Sequence, residues 1–159
     1  MSADTLYPIF RIIHSILRWV VLLTALFAII RSITGLSFRR SFMEADGRAG
    51  LWFTISMDLQ LLVGIILYFF LSPTTTMALQ NFGEAMSVGA TRFFAVEHVL
   101  LMVLATVAAH VGRAQGKKKA LAAAQRHRRS LIWYVLALVL VLAAIPWPFF
   151  SYGRPLLPF

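Results

Sequence analysis

The 159-residue chain is 60% hydrophobic and 13% charged, with a formal charge of +9, a pI near 11.1 and a mean hydropathy of +0.79. Water-soluble domains carry about a quarter charged residues, so this composition excludes an ordinary soluble protein. The absence of cysteine excludes disulfides, Cys-ligated iron–sulfur clusters and thiol catalysis on this chain.

Residues 1–5 lack the basic stretch that opens a secretory signal, and the apolar run after them is too long for a signal core. That run, 8–33, is read as a retained helix. Three more apolar runs follow at 51–71, 93–112 and 131–148, each near the ~20 residues that cross a bilayer as a helix. Their Leu, Ala, Ile and Val do not alternate with polar residues, which excludes a β-barrel. The loop 72–91 has no Lys or Arg, and 77–86 within it suits a short interfacial helix. The tail 146–159 holds four prolines, and its Trp147, Phe149, Phe150 and Tyr152 read as an aromatic belt at an interface.

Charge placement gives orientation. Arg31, Arg39, Arg40 and Arg48 fall in or beside the first loop, and Arg113, Lys117, Lys118, Lys119, Arg126, Arg128 and Arg129 in or beside the third. These eleven of the fifteen Lys and Arg lie on one face, against Arg11, Arg92 and Arg154 on the other; Arg18 lies inside a span. Such asymmetry marks cytoplasmic loops, not a nucleic-acid surface. The expectation is an all-α, four-helix transmembrane bundle, a single integral membrane domain over 1–159. Both termini lie outside, and the basic loops face the cytoplasm. The stretch 117–128 is expected to lie on anionic lipid of the inner leaflet.

Ionisable groups within spans point to function, because lipid does not solvate them. Arg11, His14 and Arg18, spaced three and four apart, share one helix face in the first span. In the third span Glu97 and His98 are neighbours, about 100° apart around the helix. Asp58 and Gln60 lie in the second span. Arg18 is expected to pair with Asp58 or Glu97, and the three to form a structural ion cluster. His110 is expected at the wet cytoplasmic interface beside Arg113, and His127 in solvent.

His14 and His98 lie at one depth, each about six residues in from the same face. Two neutral imidazoles suit axial ligation of haem iron, in a six-coordinate electron-transfer site. Arg11 and Arg92, nearer the surface, would pair the propionates. No glycine lies within a turn of either histidine to make room for a porphyrin, which weighs against this reading. A hydrogen bond from each histidine to a neighbouring helix is the plainer alternative.

Four segments resemble a group of small four-span bacterial membrane proteins of Bacteroidetes type, labelled cytochrome b-like. They are His14-Ser15-Ile16-Leu17-Arg18-Trp19, Gln60-Leu61-Leu62-Val63-Gly64-Ile65-Ile66-Leu67-Tyr68, Val96-Glu97-His98 and Ile145-Pro146-Trp147-Pro148-Phe149. The resemblance covers most of the chain. It implies a multi-pass protein of a bacterial inner (cytoplasmic) membrane, tied to respiratory electron transfer, with b-type haem. Two residues before Gln60 the group carries His where this chain has Asp58.

The second reading is a haem-free accessory subunit packed beside larger membrane chains. The fourth span has no charged residue, and Ala105 and Ala109 in the third permit close helix approach. The chain is not read as an enzyme by itself: no His-Glu-x-x-His, Gly-x-Ser-x-Gly or phosphate loop occurs. Four short spans without a broken mid-membrane helix argue against a transporter.

Overall fold

The computed structural model describes residues 3–157. Four long helices dominate: α1 (Ala3–Ser37), α2 (Glu44–Ile66), α6 (His98–Lys117) and α7 (Ala123–Ala144). All four are long and apolar enough to cross a membrane. Between α2 and α6 lie three short helices, α3 (Pro73–Gln80), α4 (Phe82–Ser87) and α5 (Gly89–Arg92). α1 packs on α2 and α7, and α6 packs on the same two, so α1 and α6 face each other across the diagonal of the bundle.

Side-chain size is sorted by position. Ala25 and Ala28 of α1, Ala105 and Ala109 of α6 and Ala137 of α7 are buried, wedged by Phe53, Met57 and Tyr134. Leu23, Leu62, Val107 and Val139 point outward. Lipid and leucine are equally apolar, so helices in a membrane associate through small residues that let backbones approach, and large ones face the lipid.

Two departures from regular winding flank the loop helices. α2 continues as a π-helical turn, Leu67–Leu71, and α6 is preceded by another, Phe93–Glu97. They are stitched together: the Tyr68 hydroxyl in the first donates to the Ala95 carbonyl in the second at 2.7 Å.

Several expected boundaries shift. α7 begins at Ala123 rather than 131, so Arg126 to Arg129 are helical and the basic stretch does not form a separate surface helix. His127, expected in solvent, is fully buried, packed on Phe42 with ring centres 4.9 Å apart and on Gly35 of α1. The helical turn aims the imidazole inward while Arg128 and Arg129 stay exposed. α7 ends at Ala144 because Ile145 precedes a proline and is extended (ψ 125°). The interfacial helix expected at 77–86 is two helices broken at Asn81.

At the basic end Asp46 is the organising anion. Its Oδ1 accepts from Arg31 at 2.8 Å and Arg40 at 3.1 Å, and its Oδ2 accepts from the Met43 backbone N–H that opens α2.

Candidate functional site

The end of the bundle opposite the basic loops holds a cavity of about 390 Å³, within the range of small-molecule and cofactor sites. The diagonal geometry builds it. α1 contributes Arg11, His14 and Arg18 from one face, and α6 contributes His98 and Met102 one turn apart. α2 contributes Gln60 and Gly64, continuing to Tyr68 in the π-helical turn.

The two imidazoles meet across the bundle axis with ring centres 6.2 Å apart and planes inclined at 64°. The depth match expected from sequence is therefore a spatial match. The hydrogen bond between His98 Nδ1 and the Ala144 carbonyl, 2.8 Å long, fixes the ring on α7 and leaves Nε2 unused. The Gln60 side-chain amide lies 3.2 Å from His14 Nε2, and His14 Nδ1 is buried with no partner. Gln60 Oε1 and Arg18 Nε are likewise buried and unpartnered. Buried polar atoms in folded proteins are nearly always hydrogen-bonded. Three such atoms surround this cavity; the other four among the described residues, on Arg113, Gln115 and His127, lie away from it.

Room at His14 comes from the neighbouring helix rather than its own. A Cβ on Gly64 would stand 3.2 Å from His14 Cε1. Gly64 thus lets the His14 ring pack close against α2.

The charge of the cavity is one-sided. Arg11, Arg18 and Arg154 line it, and among the described residues no carboxylate does. Arg154 reaches in from the tail, 3.3 Å from the Tyr7 hydroxyl and over the face of Phe94. The tail folds back across the mouth, and the Leu156 carbonyl accepts from the Arg18 guanidinium. Of the aromatics expected as a belt, Tyr152 stacks on Phe93 with ring centres 4.2 Å apart, and Phe149 stays largely exposed.

Three expectations about charge are corrected. Arg92 lies outside the cavity, half-exposed and bonded to Glu97 at 2.8 Å. Arg18 pairs with neither Asp58 nor Glu97, because the tail carbonyl has taken its guanidinium. Asp58 pairs instead with His110 at 2.8 Å on the outer surface of the bundle. The proposed ion cluster of Arg18, Asp58 and Glu97 is therefore three separate contacts. Among the described residues no three His, Cys, Asp or Glu side chains gather as a metal cage; the imidazoles stand as a pair.

Arg154 was missed because nothing in a proline-rich tail signals that it folds inward. Gln60, Gly64 and Tyr68 carried a readable signal: their four-residue spacing puts them on one helix face. Comparison with protein-family models, with curated proteins and with solved structures finds no match.

Proposed function

We propose that the chain is a b-type cytochrome-like subunit of a membrane redox complex, with His14 and His98 as the axial ligands of haem iron. The imidazole pair carries the reading. Its ring centres lie 6.2 Å apart. Neutral imidazole nitrogen is a good ligand for iron, and these two rings would hold the group between α1 and α6.

Two further features support the fit. Ligating histidines usually donate their second N–H to a carbonyl or carboxylate, which fixes tautomer and ring orientation; the Ala144 carbonyl stands in that place for His98. Arg11, Arg18 and Arg154 offer guanidinium groups suited to two carboxylates, with Arg154 taking the part expected of Arg92.

Bound haem supplies a one-electron iron couple. The chain's own residues do the rest. His14 and His98 would hold the iron from α1 and α6. Phe94, Met102 and Val141 give the cavity apolar walls. The arginines neutralise the ligand's acidic edge.

By the positive-inside rule the basic end faces the cytoplasm of a bacterial inner membrane and the cavity lies under the outer leaflet. The exposed Lys117, Lys118, Lys119, Arg128 and Arg129 then meet anionic lipid, and the partners are other membrane subunits.

Protein purified in mild detergent from haem-replete cells is expected to show a b-type reduced-minus-oxidised absorbance spectrum. A folded, colourless preparation overturns the proposal. Gly64→Leu tests the geometry, since its side chain crowds His14. Overpacking costs about 1–3 kcal/mol of stability, so haem is counted per folded protein, where its content is expected to fall. Unchanged haem content in that variant would place the ligand elsewhere.

One observation favours a haem-free accessory subunit: each imidazole already has a protein partner, Gln60 or the Ala144 carbonyl. On that reading the protein is colourless and Gly64→Leu changes only stability.

A further inference from the structure

We infer that the outer face formed by α2 and α6 is the interface of a homodimer, organised by the Asp58–His110 pair. This does not depend on the haem reading.

Both side chains are about half-exposed, 52% for Asp58 and 46% for His110, on the outside of the bundle. Asp58 is ten residues along α2 from Arg48, and His110 is one helical turn short of Arg113, so the pair lies about 5–15 Å in from the basic end. At that depth it is flanked by lipid-facing side chains: Ile55, Leu59 and Leu62 on α2, and Val103 and Val107 on α6. Ionisable groups within membrane spans almost always face a bundle interior, a water-filled cavity or a partner. This pair faces outward, so the surface around it is incomplete in the single chain.

The pair's own chemistry selects the occupant. One hydrogen bond joins His110 Nε2 to Asp58 Oδ1. That bond leaves the imidazole Nδ1 and the carboxylate Oδ2 without a partner among the described residues. A twofold axis through the face brings each copy's Nδ1 to the other's Oδ2, because an isologous contact presents the same patch twice. A second copy thus supplies the matching groups with no further component. The apolar flank has the matching shape: Val103, Val107, His110 and Ala114 recur at spacings of four, three and four, the seam of packed helices. Ala114 is small and exposed beside His110, which permits close approach.

The absence of cysteine makes the test clean. Val107→Cys, on the face, is oxidised in native membranes, with Leu23→Cys as the control; Leu23 is 67% exposed on α1, away from the face. Val107→Cys is expected to give a disulfide-linked dimer of this chain and Leu23→Cys to stay monomeric. In the Val107→Cys background, Asp58→Asn and His110→Gln are each expected to weaken the dimer about tenfold. The exchange Asp58→His with His110→Asp keeps the self-complementary pair and is expected to restore cross-linking. The inference is overturned if Val107→Cys stays monomeric, links only to a different protein, or links no better than Leu23→Cys. It is also overturned if Asp58→Asn leaves the yield unchanged.

Discussion

Purified His98→Ala is expected to lack the reduced-minus-oxidised absorbance of the parent protein while keeping its helical content. The truncation deletes the α6 imidazole that faces His14 and otherwise orphans one backbone carbonyl, at Ala144. Leaving such a buried acceptor unpaired costs about 1–3 kcal/mol, too little to dissolve a bundle whose apolar core draws on all four long helices. Exogenous imidazole is expected to restore the absorbance, because it fits the volume the side chain vacates; a purely structural histidine gives no such rescue. His14→Ala is expected to behave in the same way, and His110→Ala, on the outer surface, is expected to keep the full signal. Retention of absorbance in His98→Ala would remove that residue from the ligand set.

Asp46→Ala is expected to cause the largest loss of stability outside the apolar core. Its side chain is 3% exposed and accepts from Arg31, Arg40 and the Met43 N–H. Without it two guanidinium groups face each other at the junction of α1 and α2, and α2 loses the bond at its first turn. Breaking a buried ion pair costs about 3–5 kcal/mol. Arg31 and Arg40 are about a quarter exposed, and solvent screening lowers the figure to about 2–3 kcal/mol. SDS titration of the folded protein in detergent micelles reads the shift directly. Asp46→Asn keeps an acceptor for Met43 and is expected to fall between the two. An unchanged midpoint in Asp46→Ala would show that the arginines are satisfied by solvent.

The four spans were legible because hydrocarbon thickness fixes their length and composition; Ala105 and Ala109, expected to admit a neighbouring chain, are instead buried within this bundle's own core. The equal depth of His14 and His98 was legible for the same reason: counting residues from a common face measures depth. Rotation and partner choice were not. Arg92 meets Glu97 at a five-residue spacing that a regular α-helix places on different faces; the π-helical turn between them brings the two together. Arg18 was matched to carboxylates by charge, yet a backbone carbonyl from a folded-back tail reached it first. His127 sits among arginines in sequence, and only the early start of α7 turns it inward. Gly64 escaped notice because closeness along the chain stood in for closeness in space.

The two π-helical turns, tied by Tyr68 and Ala95, have a genetic corollary. Each holds extra backbone relative to regular winding, typically a single inserted amino acid. Loss of one codon in 67–71 or 93–97 would let the helix rewind with the segments on either side on nearly the same faces, because five π-helical residues and four α-helical ones turn through about the same angle. What is lost is the local five-residue contact, as between Arg92 and Glu97. Length changes in the connecting turns 38–43 and 118–122 merely lengthen or shorten a surface link. Along this chain, loss of a single residue within the spanning helices should be borne best inside these two turns and worst in the regularly wound segments beside them.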